Sequence, residues 1–438
     1  MSQGTNPDLA VPFPSNSHPG RLESVFWLSQ NKAFDMRSHA QRMKAAIVFL
    51  MGSCVWLLLL SLVWTSQLQP RLTPRLVPQV GCVCQDRVDI SNNNRVDVTN
   101  KPSLNCRTEA QTAVEMACTL NLQRIAVQGI PAKFSQESIV NDVLSVHVCP
   151  WAPNFSATLN FQESHRNATG GAGRVMVTQT NSPINSNITY DASKKTITVD
   201  ENLHSIFIKE FPERSGRYPR CAVVGNGGIL TNSSCGSQID AADFVIRCNL
   251  APVDGKFSND VGTKTSLVTA NPSIIIKKFQ SLNARRTPFV KEMEAYKDTI
   301  ILVSGFSFAP LTPIAMRLAF TLEDFRAQQR VAFFNPDYMR AIARFWKGQG
   351  VNEPRPSSGL MMTSVAMDLC DEVHVYGFWP FDRAVPAGVG GAGVELTHHY
   401  YDDQKPNRRH SMPHEFLELL ALHSRGVLRM HVGECAAP

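Results

Sequence analysis

Two histidine-bearing blocks lie near the C-terminus, His398-His-Tyr-Tyr-Asp402 and His410-Ser-Met-Pro-His-Glu415. Histidine is the side chain whose ordinary proton affinity suits transfer near neutral pH, so either block can supply a general acid or base. Grouped His, Asp and Glu are also the residue types of a zinc site. Against zinc, Pro413 stands between His410 and His414, and the His-Glu-x-x-His order of a helical zinc site is absent. There is no Asp-x-Asp pair to hold a divalent ion against a diphosphate. A leaving group of lower charge, such as a nucleoside monophosphate, needs no metal. Histidine, tyrosine and a helix N-terminus are enough to neutralise it.

Two other blocks could seat such a group. Arg220-Cys-Ala-Val-Val-Gly-Asn-Gly-Gly-Ile-Leu230 reads as a buried strand, Ala222 to Val224, running into a glycine-rich loop that holds Gly225, Asn226 and Gly227. Such a loop lets backbone N–H groups approach a phosphate, and an ordinary turn has the same composition. A nicotinamide site would need a third glycine and an acidic residue at the next strand end. Leu230 and Arg247-Cys248-Asn249 stand there instead. In the second block, Ser357, Ser358 and Gly359 precede an apolar helix, where serine hydroxyls and free N–H groups either cap the helix or bind an anion. Gly377-Phe-Trp-Pro-Phe381 follows, and Trp379 suits stacking on a base or sugar as well as core packing.

These blocks need a frame. Apolar runs predict strands over Cys221–Val224, Phe244–Arg247, Ser266–Thr269, Thr299–Val303, Val331–Phe334 and Val373–Tyr376. Helical patterns fall over 109–122, Pro313–Gln328, Asp337–Lys347, Leu360–Cys370 and Pro413–Ser424. The alternation predicts an α/β fold with a mostly parallel central sheet flanked by helices. Ligands then bind beyond the carboxyl ends of the strands, where the Gly225 loop falls.

The chain has 438 residues, 43% hydrophobic and 18% charged, with a net charge of +6. That is globular, and too weakly and diffusely basic to imply nucleic acid. Ala45 to Trp64 is a charge-free apolar run long enough to span a bilayer. The organisation expected is a cytoplasmic tail over 1–43, a single transmembrane signal anchor over 44–66, a stem over 67–147 and a lumenal catalytic domain over 148–438. Ten of eleven cysteines follow the span, as do all four glycosylation acceptors, Asn154, Asn167, Asn187 and Asn232. That asymmetry fits an oxidising lumen. Cys82, Cys84, Cys106, Cys118 and Cys149 cannot be paired from sequence.

Taken together and in order, the blocks resemble the sialyltransferase family, and within it the α-2,8-sialyltransferases. Arg220 to Ser273 looks like the large sialylmotif, and it includes Asp243-Phe-Val-Ile-Arg-Cys-Asn249 and Asp260-Val-Gly-Thr-Lys-Thr265. Arg355 to Pro380 looks like the small motif, His399-Tyr-Tyr-Asp402 the third, and His410 with Glu415 the very small one. The likeness covers most of 150–438 and points to the type VI-like subgroup that acts on short sialylated glycans. The glycine-rich segment from Val385 to Gly393 departs from the family pattern.

The resemblance implies a Rossmann-like GT-A variant, CMP-sialic acid as co-substrate, and neither cofactor nor metal. It implies that His410 is the general base, supported by Glu415, and that His399 contacts the leaving phosphate. Asn226 and Asn249 would hold the nucleotide together with Gly225, Gly227 and Tyr400. Ser357, Ser358 and Gly359 would receive the donor carboxylate, and Trp379 would pack at the cytidine or sugar. Cys221 matches the cysteine paired with Cys370, and Cys235 the one paired with Cys435; Cys248 would be a buried free thiol. The partners implied are a sialylated glycoprotein or glycolipid acceptor, the Golgi membrane, no nucleic acid, and a second copy in a homodimer. Charge balance over Ser186–Pro219 and Glu323–Pro354 favours mono- or oligosialylation over polymerisation. The alternatives are an α-2,3- or α-2,6-sialyltransferase and a non-catalytic Golgi sialoglycan-binding protein.

Overall fold

The computed structural model describes residues 82–83, 107–129, 135–211, 216–353, 355–385, 393–403 and 412–435. The expected membrane anchor and His410 lie outside the described residues. No helix among the described residues is long and apolar enough to cross a membrane.

The frame is an eight-stranded sheet. Its strands are β1 (Met176–Val177), β2 (Tyr218–Val224), β3 (Phe244–Arg247), β4 (Leu267–Ala270), β5 (Ile300–Val303), β6 (Arg330–Phe334), β7 (Cys370–Tyr376) and β8 (Arg429–His431), in the order β8-β7-β2-β3-β4-β5-β6-β1. All neighbours are parallel except β1, which runs antiparallel to β6 at one edge. The interior strands are buried along most of their length because helices cover both faces, so they are continuous Val/Ile/Leu runs rather than alternating ones.

From β2 the chain builds outward strand by strand to β6, then returns to place β7 on the other side of β2. The strand order therefore reverses between β2 and β7. A crevice opens at such a reversal, because the connections on its two sides leave in opposite directions.

Among the described residues the nine longer helices are α1 (Glu109–Val127), α2 (Gln136–His147), α3 (Phe155–Thr169), α4 (Pro272–Phe279), α5 (Arg286–Met293), α6 (Thr312–Asp324), α7 (Pro336–Gly348), α8 (Ser358–Leu369) and α9 (Met412–Ser424). Their ends follow local chemistry. The Asn154 side chain accepts from the Ala157 N–H to start α3, and Gly170, at φ 81°, stops it in the left-handed region. Pro336 opens α7 behind Asn335, whose side chain accepts from the Asp337 N–H. The pattern over Pro313–Gln328 predicts a longer helix than forms. α6 ends at Asp324 because Arg326 takes φ 51°, and the Gln329 amide turns instead to the Met293 and Lys297 carbonyls.

Among the described residues there are three disulfides, and two of them are the pairs the family resemblance implies. Cys221–Cys370 ties β2 to the start of β7, and Cys235–Cys435 ties the segment beyond the glycine loop to the C-terminal end. The third, Cys118–Cys149, joins α1 to the turn after α2. It closes a loop of the kind that stabilises by roughly 3 kcal/mol. α1 also packs against α9. The boundary expected at 147/148 therefore does not divide the described residues, since two helices of the expected stem are fastened to the body. Asn154, Asn167, Asn187 and Asn232 are all exposed.

Candidate active site at the strand reversal

The glycine loop leaves β2 at the reversal. The Gly225 N–H donates to the Tyr376 carbonyl at 2.8 Å and the Gly227 N–H to the Gly377 carbonyl at 3.0 Å. A Cβ at either glycine would come within 2.8 or 2.7 Å of the Gly377 oxygen, and one at Gly228 within 2.1 Å of the Thr397 oxygen. The sequence reading has these glycines opening space for a phosphate. Here they let three backbones pack together, and the N–H groups of Gly225 and Gly227 are already spent on β7.

Asn226 is the half-buried residue left between them. Its Nδ2 donates to the Cys248 carbonyl at 3.1 Å, and its own carbonyl accepts from the Tyr400 N–H at 3.0 Å. Asn249 follows Cys248 at the end of β3, with φ 56°. Its N–H donates to Thr269 Oγ1 at 2.9 Å, and its Oδ1 accepts from the Asn271 N–H at 3.1 Å. The two asparagines thus stand at the carboxyl ends of adjacent strands. Asn271 and Thr269, which fix Asn249, carried no signal in the sequence because their role depends on β3 and β4 lying side by side. Burial pushes the Cys248 thiol up to about 12 and keeps it protonated.

The third-motif block arrives by its backbone. Gly227 and His399 form an antiparallel bridge. The His399 ring is held by Asp402, with Nδ1 and Oδ1 2.8 Å apart, and it stacks on Tyr401 at 5.1 Å and 7° between planes. The Tyr400 hydroxyl donates to the Pro252 carbonyl at 2.6 Å, and burial raises its proton affinity. In this arrangement Tyr400 braces the loop after β3 with its hydroxyl.

The N-terminus of α8 is the fourth component. Ser357 is its cap, with Oγ accepting from the Leu360 N–H at 3.1 Å. The Ser357 N–H donates to Glu415 Oε1 at 2.7 Å, and its hydroxyl donates to Oε2. Glu415 comes from the first turn of α9, so this carboxylate already occupies the Ser357 donors that the resemblance assigns to a ligand. Burial raises Glu415 to about 7, while the two bonds from Ser357 pull the other way. Ser358 and Gly359 are half-buried in the first turn, where N–H groups have no partner within the helix. Their N–H groups are the ones left at the start of α8 once Glu415 has taken the donors of Ser357. A Cβ on Gly359 would meet the Phe378 ring at 2.8 Å, which explains glycine there.

Trp379 differs from its expected role. The indole is 5% exposed, sits edge-on to Phe381 and Phe416, and donates from Nε1 to the Arg383 carbonyl at 2.7 Å. It is core here, the second of the two readings its position allowed. Arg247 is a residue the sequence did not single out. Its guanidinium is buried under the same corner and donates to the Lys264 carbonyl and Thr265 Oγ1, leaving Nη1 unbonded. Among the described residues no group of three or more His, Cys, Asp or Glu side chains is arranged to hold a metal ion.

Comparison with known proteins identifies the family. Residues 176–427 match the model of glycosyltransferase family 29 (sialyltransferase). The chain is 39% identical to rat alpha-2,8-sialyltransferase 8E over 66% of its own length and 76% of the relative's. It is 39% identical to human alpha-2,8-sialyltransferase 8F over 69% and 75%. It is 42% identical to the Xenopus laevis alpha-N-acetylneuraminide alpha-2,8-sialyltransferase over 65% and 78%. Among solved structures it aligns with a mammalian sialyltransferase crystallised with Gal-beta-1-3GalNAc-ortho-nitrophenol, at 20% identity and a TM-score of 0.33, over 70% of this chain and 89% of that one. A match spanning more than half the chain and covering all the strands that build the crevice except β8 is decisive: the chain belongs to the sialyltransferases of glycosyltransferase family 29.

Proposed function

We propose that this protein transfers sialic acid from CMP-sialic acid to the terminal sialic acid of a glycan in α-2,8 linkage, by a single inverting displacement without a metal ion. The observation that carries the reading is the convergence at the strand reversal of Asn226, Asn249 and His399, three residues far apart in the chain. Asn226 and Asn249 would hold the nucleotide, and Ser358 and Gly359 would offer N–H groups to the donor carboxylate. His399 would meet the phosphate as its bond to the anomeric carbon breaks. His410 would take the proton from the attacking hydroxyl, and a positioned base commonly contributes about 10²–10⁴-fold. Glu415 would act through Ser357, holding the start of α8 in place.

The four exposed sequons and three disulfides support a body folded in the secretory lumen, with a Golgi anchor over 44–66. The acceptor would be a glycoprotein or glycolipid glycan, mono- or oligosialylated.

The test is transfer from CMP-sialic acid to a panel of sialylated and desialylated glycans. Transfer to the sialylated members is expected. His410→Ala should remove turnover by at least two orders of magnitude while CMP still binds. Use of desialylated galactose-ended acceptors alone would overturn the α-2,8 assignment, and an active His410→Ala would overturn the base.

A further inference from the structure

The His399 backbone is pinned by its bridge to Gly227 and by the neighbouring Tyr400 N–H on the Asn226 carbonyl. The orientation of the ring is therefore a separate matter, and one residue settles it. Asp402 Oδ1 lies 2.8 Å from Nδ1, with both side chains about three-quarters buried. A carboxylate accepts only, so Nδ1 carries the proton. Nε2 then faces away with a bare lone pair if the ring is neutral. It offers an N–H only if the ring holds a second proton.

A lone pair would repel a phosphate oxygen that is gaining negative charge. We infer that Asp402 is a positioning residue that makes His399 act as an imidazolium, with Nε2–H aimed at the leaving phosphate. This rests on the reading that His399 meets that phosphate.

The surroundings fit a positive ring. Asp402 supplies the counter-charge. Tyr401 lies parallel to the ring and presents its negative π face. His398 is the competing group, with its centroid 4.3 Å away. Burial first and His399 second lower the proton affinity of His398, while Asp402 opposes them. Of the adjacent pair, His398 is thus the ring whose protonation is disfavoured. In the step itself, the bond from the anomeric carbon to the phosphate oxygen breaks and its electron pair stays on that oxygen. The Nε2–H bonds to it, and the acceptor oxygen forms the new bond as its proton goes to the base. A carboxylate three residues after a histidine gives no pairing signal by itself, because the geometry depends on the bend at Tyr400 and Tyr401.

The experiment uses the full chain in detergent, with CMP-sialic acid and a sialylated acceptor. It compares wild type, Asp402→Asn, Asp402→Glu, His399→Gln and the double variant that joins His399→Gln with Asp402→Asn. Asp402→Asn should lower kcat tenfold or more and shift the alkaline limb of the kcat–pH profile to lower pH, with an unchanged melting temperature. Asp402→Glu, which keeps the charge, should recover part of the rate. His399→Gln combined with Asp402→Asn should be no slower than His399→Gln alone, because one function has been removed twice. An unshifted profile in Asp402→Asn, or equal losses in the Asn and Glu variants, would overturn the inference while leaving the role of His399 intact. A His399→Gln enzyme with wild-type kcat would instead remove His399 from the reaction. If Asp402→Asn fails to fold, the Glu variant decides by its own profile: a rate near wild type with an unshifted limb supports the charge, and a loss as deep as that of His399→Gln overturns it.

Discussion

Helix α9 carries a titratable side chain at each end, Glu415 buried and His423 half-buried, and the two ends make opposite demands. In its first turn, Glu415 enters the core beside the crevice and meets two donors from Ser357. In its last turn, His423 enters a cavity of about 250 Å³ at the β8 edge of the sheet, lined also by His147, Trp151, Arg429 and His431. There the rings pack on one another. His431 stacks on Tyr376 at 4.2 Å and 9°, and its Nε2 lies 3.1 Å from Nδ1 of His374. Trp151 stacks on His423 and donates to its carbonyl.

Burial lowers His374 and His423 to about 4 and His431 further, with Arg429 among the groups that reinforce it. It raises Glu415 to about 7. The cause is the same in each case, because a buried site favours the neutral form of an acid and of a base alike. The signs on pH therefore differ. The unfolded chain takes up protons on the histidines below 6.5 while the folded one does not, so this end loses stability as pH falls from 6.5 towards 4. The folded chain holds the Glu415 proton between 4.5 and about 7 while the unfolded chain releases it, so the other end loses stability as pH rises through that window. The start of α9 and the cluster that its last turn shares with β7 and β8 thus press on the stability optimum from opposite sides.

Three substitutions break this pairing, and their expected effects descend. Glu415→Ala leaves the buried Ser357 N–H without its acceptor and should cost about 1–3 kcal/mol in denaturant unfolding, with activity falling as the start of α8 loosens. A loss below 0.5 kcal/mol would mean that the clamp is not holding. His431→Phe keeps the stack on Tyr376 but removes a titrating ring. Its melting temperature at pH 7 should drop modestly for want of the bond to His374, and its further drop from pH 7 to pH 5 should be shallower than that of wild type. An unchanged acid slope would assign that slope to other groups. Glu415→Gln keeps an acceptor for the Ser357 N–H and removes the charge. It should be close to wild type at pH 5 and equal or more stable at pH 8, which scanning calorimetry at the two pH values reads directly.

The strands were legible in the sequence because parallel strands covered on both faces are short, uninterrupted apolar runs, and those runs lie within a few residues of β2 to β7. β1 and β8 were not legible. Two or three residues pair there only because a neighbour is already in place. The glycines at the end of β2 marked the strand reversal in the sequence, but not their own purpose: whether a glycine faces a ligand or another backbone depends on where Gly377 and Thr397 arrive. Trp379 shows the same limit, since an aromatic at a strand end reads alike as platform or core until Phe381 and Phe416 are placed. Ser357 was recognisable as a cap. That Glu415 would reach it required α9 to cross the start of α8, a contact 58 residues away.

Cys248 is the free thiol among the described residues, and its carbonyl is the group that holds Asn226. Because the thiol is sealed and protonated, a thiol-specific reagent can reach it only when the ends of β2 and β3 part. The rate of labelling at Cys248 is then a built-in clock for the breathing of the corner between β2 and β3. On the proposed reading, a donor held by Asn226 and Asn249 would slow that clock in proportion to its occupancy.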